Sequence, residues 1–347
     1  MLEYLYLTSG LFLGWTLGAN NAGNVFGAAV GSGMLKFRTA AAVTCVFVII
    51  GASFSGTGTS NTLQELGHVN ELAGAFIVAL ATALAVYWMT SMKLPVPISQ
   101  AIVGAIIGWN IFAGKPTELS AITKILATWV CAPILSAVFA IVIYKIATYI
   151  LSKARIHMLK LDHYNRIGFL VVGAFGAYSL GANNIASVMG VFVPVSPFHY
   201  ADMGITYLSS TTKLFMLGGI AIGIGIVSFS HNVVDTVGKG ITELTPVAAL
   251  VVVSSSAFVL LMFASENLKN LLLALGLPPL PLVPVSSSQA VVGAIVGIAL
   301  LKDWRNINYK LIGKIALGWL ATPIAAGLIT LLSLFIFQNV FERIVYH

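Results

Sequence analysis

The tetrad Gly-Ala-Asn-Asn occurs twice, at residues 18–21 and again at 181–184, each time inside an apolar stretch long enough to cross a bilayer. Hydrocarbon offers no water to satisfy a carboxamide, so two adjacent amides at such a depth need partners inside the protein or a bound species. A second polar knot follows each tetrad, Ser99-Gln100 in the first case and Ser286-Ser287-Ser288-Gln289 in the second, and each leads into another apolar run. The chain reads as one membrane unit duplicated, with a polar cluster in each copy.

Composition supports the membrane reading. Of the 347 residues, 58% are hydrophobic and 8% charged, and the mean hydropathy is +0.96, which leaves too little polar surface to cover a soluble globule. The apolar runs are long and uninterrupted, as helical spans require, and lack the alternation of barrel strands. The first run begins almost at Met1 without a basic n-region or a cleavage site, so it is expected to be a retained span. Cys45 and Cys131 lie in apolar segments with no potential metal ligands nearby and read as small buried hydrophobes.

Apolar segments run at roughly 4–33, 39–63, 72–92, 95–113, 119–151, 166–195, 212–234, 245–265, 280–301 and 310–341. They divide into two fives around the charged stretch from Ser152 to Arg166. The organisation expected is an N-terminal membrane repeat over 1–151, a cytoplasmic linker over 152–166 and a C-terminal membrane repeat over 167–347. If every segment crosses once, 13 of the 18 Lys and Arg residues share one side, including Lys93, Arg155 and Lys239, and that side is assigned to the cytoplasm. This asymmetry accounts for the net charge of +7 without any nucleic-acid surface. Five crossings per half would bring the second copy in from the opposite face, giving an inverted pair suited to alternating access. Segments 95–113 and 280–301, rich in Gly, Pro and Ser, also fit hairpins that enter and return.

The duplication extends beyond the tetrad. Leu17 to Gly27 aligns without gaps to Leu180 to Gly190, and Ser99 to Gly108 aligns to Ser288 to Gly297. Lys124, Trp129 and Pro133 recur at identical spacing as Lys314, Trp319 and Pro323.

Gly18 and Gly181 are expected to let the backbone leave helical geometry in mid-span, exposing amides whose positive dipole end suits an oxyanion. Asn20, Asn21, Asn24, Asn183 and Asn184 add donors, and carbonyls able to ligate a small cation. The same small and amide residues also serve to cap helices or let them pack closely. The Ser-Gln elements fall at the first turn of helices that follow proline-rich lead-ins, where the hydroxyls serve as N-caps or line an anion pocket. The 11 carboxylates lie near segment ends, Asp235 among them, and no intramembrane proton relay is evident. With no nucleophile elbow or zinc-hydrolase motif, the sequence gives no sign of an enzyme.

These residues resemble the inorganic phosphate transporter family, the PiT permeases, which carry a duplicated Gly-Ala-Asn-Asp-x-x-Asn signature and a hydroxyl-rich element before a Val-Gly-Ala run. The resemblance implies an all-α, polytopic membrane protein, two inverted-topology repeats with broken helices or re-entrant hairpins. It further implies a multi-pass secondary transporter of the cell membrane that moves phosphate, or sulfate in one branch, and needs no cofactor beyond a coupling ion, sodium or proton. The partners implied are the oxyanion, the lipid bilayer and a second copy in a homodimer.

Matched position by position, the signature falls on Gly18, Asn20, Asn21 and Asn24, and on Gly181, Asn183, Asn184 and Ser187. The hydroxyl elements fall on Pro95, Pro97, Ile98, Ser99 and Gln100, and on Pro284, Ser286, Ser287, Ser288 and Gln289. Asn21 and Asn184 stand where the signature has aspartate. As candidate sodium ligands they offer a cation a dipole in place of a charge.

Overall fold

A computed structural model of the chain describes residues 2–31, 33–91, 96–154, 156–198, 201–202, 207–229, 244–302, 305 and 307–346. Its helices are α1 (Leu2–Gly31), α2 (Phe37–Ser55), α3 (Thr57–Leu66), α4 (Leu72–Ser91), α5 (Ile98–Phe112), α6 (Leu119–Ala154), α7 (Met158–Met189), α8 (Ser210–Phe229), α9 (Pro246–Met262), α10 (Glu266–Ala274), α11 (Ser287–Lys302) and α12 (Tyr309–Asn339). A single two-residue antiparallel pairing, Ala201–Asp202 with Tyr207–Leu208, is the extended exception among the described residues. The expected apolar segments coincide with these helices, and the chain is an all-helical polytopic membrane protein. Pro95, Lys93, Arg155, Asp235 and Lys239 lie outside the described residues.

Six helices among the described residues are long and apolar enough to cross a membrane, and a seventh span results if α9 and α10, bent by 69°, count as one. The described residues thus show fewer helices of crossing length than the ten apolar segments expected. At about 1.5 Å per residue, the 15 residues of α5 and the 16 of α11 reach only about 22–24 Å, short of a hydrocarbon core of about 30 Å. Both helices begin inside the protein after a non-helical lead-in, which puts their N-termini at depth.

Within the stretch 152–166, α6 continues to Ala154 and α7 starts at Met158, with His157 accepting a hydrogen bond from the Leu159 amide as its N-cap. An Asp162–Arg166 ion pair of 2.9 Å, one helical turn apart, shows why a charged sequence still winds here. One further expectation is corrected: Cys131 is not buried but exposed on α6, whereas Cys45 donates to the Gly223 carbonyl between α2 and α8.

Burial sorts the helices into inner and outer sets. The most apolar windows of α4 and α7 are 67% buried, while that of α12 is 22% buried and displays Leu317, Leu320, Ile324 and Leu328 outward. A helix that is apolar all round, with half its face open, belongs at the lipid boundary. The packing is reciprocal. Helix α1 lies on α8 as α7 lies on α2, and α5 lies on α12 as α11 lies on α6.

Glycine makes the last two contacts possible. A Cβ on Gly104 would sit 2.0 Å from the Pro323 carbonyl oxygen, and one on Gly293 would sit 2.2 Å from that of Pro133. The prolines inside α6 and α12 therefore meet the glycines of the opposite short helices backbone to backbone.

Candidate functional site

Helices α1 and α7 run unbroken through both tetrads, so the expected mid-span unwinding at Gly18 and Gly181 does not occur. Their glycines serve close approach instead. A Cβ at Gly18 would lie 2.0 Å from the Ile222 carbonyl oxygen of α8, and one at Gly181 would lie 2.2 Å from that of Val48 on α2. Helix-helix contact at such distances excludes any side chain, and it fixes the rotation at which the neighbouring amides project.

The interruptions lie elsewhere. One is at Gly56, between α2 and α3, and others are the extended lead-ins to α5 and α11. Asn20 donates from Nδ2 to the Val96 carbonyl at 3.0 Å, holding the lead-in to α5. Asn183 does more for α11: Nδ2 donates to the carbonyls of Leu260 (3.1 Å) and Val283 (3.4 Å), and Oδ1 accepts from the Val285 amide at 2.8 Å. One asparagine of each tetrad thus satisfies backbone groups left free where a short helix begins.

The remaining residues close on the same region. Asn24 Nδ2 donates to Asn21 Oδ1 at 3.2 Å and to Ser287 Oγ at 3.4 Å, joining α1 to the first turn of α11. Ser286 is the N-cap of α11, accepting from the Gln289 amide at 3.2 Å, and its hydroxyl pairs with that of Ser288 at 2.9 Å. Asn184 turns Nδ2 back onto the Leu180 carbonyl of its own helix at 3.2 Å. Pro97, the N-cap of α5, supplies no side-chain cap. The capping reading of the Ser-Gln elements holds at Ser286 and fails at Ser99.

All twelve sequence-derived residues are buried, none more than 5% exposed. Six of them carry a buried atom without a hydrogen-bond partner among the described residues: Asn20 Oδ1, Asn24 Oδ1, Ser99 Oγ, Gln100 Oε1, Ser187 Oγ and Gln289 Oε1. Unsatisfied buried polar atoms are uncommon and cost about 1–3 kcal/mol each. The six named are part of thirteen such atoms among the described residues, and all six fall in the two matched motif pairs. The N-termini of α5 and α11 add positive dipole ends, with the Gln100 amide already bonded to the Pro97 carbonyl and the Gln289 amide to the Ser286 hydroxyl. The void beside Asn24, Ser287 and Ser256 measures about 10 Å³, room for about one water molecule.

Sequence reasoning missed the polar run Thr57-Gly-Thr-Ser-Asn-Thr62, absorbed into an apolar segment. It forms α3, where Thr59 donates to the Asn183 carbonyl at 3.4 Å and Thr62 to that of Leu282, bracing the lead-in to α11. Five hydroxyl or amide residues in six was the available signal. Lys124 pairs with Glu65 of α3 at 3.5 Å and has no place in the site.

The profile of the phosphate transporter family matches residues 17–330, taking in both tetrads and both Ser-Gln elements. The chain belongs to that family. As a member of the phosphate transporter family it is similar to proteins named "putative phosphate permease" from Pyrococcus abyssi (24% identity; 94% of this chain and 95% of the relative) and Methanocaldococcus jannaschii (27%; 94% of each). A solved structure titled "The sodium-dependent phosphate transporter" superposes with a TM-score of 0.77 at 19% identity, over 98% of this chain and all of the other, and shares the fold. This member of the phosphate transporter family is a transporter and not an enzyme.

Proposed function

We propose that the chain is a secondary permease of the cell membrane that carries inorganic phosphate through the buried region between the two motif pairs, by alternating access and coupled to a cation. The observation that carries the reading is the set of six unpartnered oxygens just described, linked across the halves by the Asn24–Ser287 bond. Amide nitrogens, hydroxyls and helix N-termini donate to the oxygens of an oxyanion. The free carbonyl oxygens need something that donates or is positive.

Protonated phosphate brings its own hydroxyl, and a coupling cation such as sodium brings charge. Sulfate at neutral pH brings no hydroxyl of its own. Asn20 Oδ1 illustrates the point: its Nδ2 is committed to Val96, so its unpartnered atom is an acceptor that would face only sulfate oxygens. Phosphate is the better-matched substrate on this ground.

Two halves of inverted topology, 1–151 and 167–347 in outline, account for the reciprocal packing of α1 on α8 with α7 on α2, and of α5 on α12 with α11 on α6. The void of about 10 Å³ cannot admit an oxyanion. Substrate enters when the halves part on one side and leaves when they part on the other.

Uptake of labelled phosphate and sulfate into proteoliposomes, under imposed sodium or proton gradients, tests the proposal. Concentrative phosphate uptake that falls in the Asn24→Ala, Ser287→Ala double variant is the result expected. Uptake unaffected by that double variant would remove the assigned site, and flux that no gradient drives uphill would make the protein a channel.

A further inference from the structure

Away from the motif pairs, a cavity of about 340 Å³ opens where the C-terminal part of α6, the N-terminal part of α7 and the N-terminal part of α9 meet. Its size falls within the roughly 300–1,000 Å³ of small-molecule pockets. The walls are apolar, with Ala147 and Ile150 on one side, Leu161 and Tyr164 on another, and Leu250 and Val251 behind. Ile150 and Tyr164 are more than half exposed, so the cleft opens at the outer surface of the bundle.

The surroundings are cationic. Lys302 Nζ donates to Thr245 Oγ1 at 3.3 Å, two residues before the lining residue Val247, and also lies 5.3 Å from the Tyr144 ring centroid on α6. Lys153 extends over the Tyr149 ring at 4.5 Å, two residues beyond Leu151 of the wall, and Lys160 directly precedes Leu161. Among the described residues, the carboxylate next to a lining residue is Asp162, paired with Arg166 at 2.9 Å. The N-terminus of α9 points its positive end to the same level.

We propose that this cleft binds one anionic phospholipid, its acyl chain between α6, α7 and α9 and its phosphate among Lys302, Lys153 and Lys160. Apolar area holds the chain, as it would for any lipid. The three ammonium groups select net negative headgroups over zwitterionic ones, because the choline cation of phosphatidylcholine is repelled where the phosphate is attracted. The site is separate from the substrate region: Lys302 ends the same helix whose first turn holds Ser287.

Native mass spectrometry of the full chain in detergent, incubated with equimolar phosphatidylglycerol and phosphatidylcholine, tests this. Wild type should retain phosphatidylglycerol preferentially. The preference should fall about fivefold for each lysine neutralised and vanish in Lys153→Gln, Lys160→Gln, Lys302→Gln. Ala147→Phe, which fills the cleft, should lower retention of both lipids, while phosphate uptake by the lysine variant reports that it is folded. Equal retention of the two lipids, a preference unchanged in the triple variant, or a protein dimer covering the cleft with no lipid bound would each overturn the proposal.

Discussion

The carboxamide of Asn24 on α1 reaches the hydroxyl of Ser287 on α11 at 3.4 Å, across 263 residues of chain. The same carboxamide holds Asn21 at 3.2 Å. A residue that the duplication pairs with Ser187 thus couples one motif of the first half to the complementary motif of the second. Removing the bond should cost little fold and much transport. Asn24→Ala should lower the apparent affinity for phosphate about tenfold, the equivalent of about 1.4 kcal/mol, with thermal stability reduced by no more than about 1.5 kcal/mol. Concentration-dependent uptake alongside thermal unfolding separates the two.

Asn183 and Ser187, one helical turn apart, should behave in opposite ways. Asn183 serves three backbone groups, and its truncation strands buried partners at a cost of at least about 2 kcal/mol. Ser187 has an unpartnered hydroxyl, so Ser187→Ala should leave the melting temperature unchanged and still reduce uptake. If Ser187→Ala destabilised as strongly as Asn183→Ala, the hydroxyl would be structural.

Backbone contact at Gly104 and Gly293 leaves no room for a methyl group. Gly104→Ala or Gly293→Ala should destabilise the protein by about 1–3 kcal/mol through forced separation of α5 from α12 or α11 from α6. A shift in the thermal unfolding midpoint is the measurement. Gly313, where nothing lies within 4 Å of an added Cβ, is the control and should tolerate alanine.

Asn21 bears on coupling. Its Oδ1 already accepts from Asn24, so Asn21→Asp keeps that bond while placing a charge in the site. Phosphate uptake by Asn21→Asp should show a steeper dependence on sodium concentration than wild type, because a buried carboxylate is stabilised by a cation that neutralises it. Identical sodium curves would place the cation elsewhere.

Asn, Ser and Gln do not titrate, so the twelve site residues contribute no ionisation of their own. The pH profile of phosphate uptake should therefore follow the protonation of phosphate itself, and any sulfate flux should be flat through neutral pH. Parallel uptake measurements across that range distinguish a substrate ionisation from one belonging to the protein.

The positions of the helices were legible because hydropathy sets them directly, and the burial of the candidate residues was legible because the duplication picked out amides and hydroxyls that a span would otherwise avoid. What the glycines do was not legible. Gly18 between Leu17 and Ala19 has the same sequence appearance whether it unwinds a helix or admits a neighbour; the carbonyl of Ile222, more than 200 positions away, decides it. The helical ends within the charged stretch 152–166 were hidden for a related reason, since the i,i+4 spacing of Asp162 and Arg166 favours a helix as readily as its polarity suggests a loop. The break at Gly56 and the bracing role of α3 were hidden inside a window whose average was apolar.

At Gly104 and Gly108, α5 meets α12 through main-chain atoms, so a tilt imposed on α12 by the thickness of the surrounding lipid is expected to reach α5 with little side-chain give. Phosphate uptake should then vary with lipid chain length, and reconstitution into lipids of graded thickness measures it.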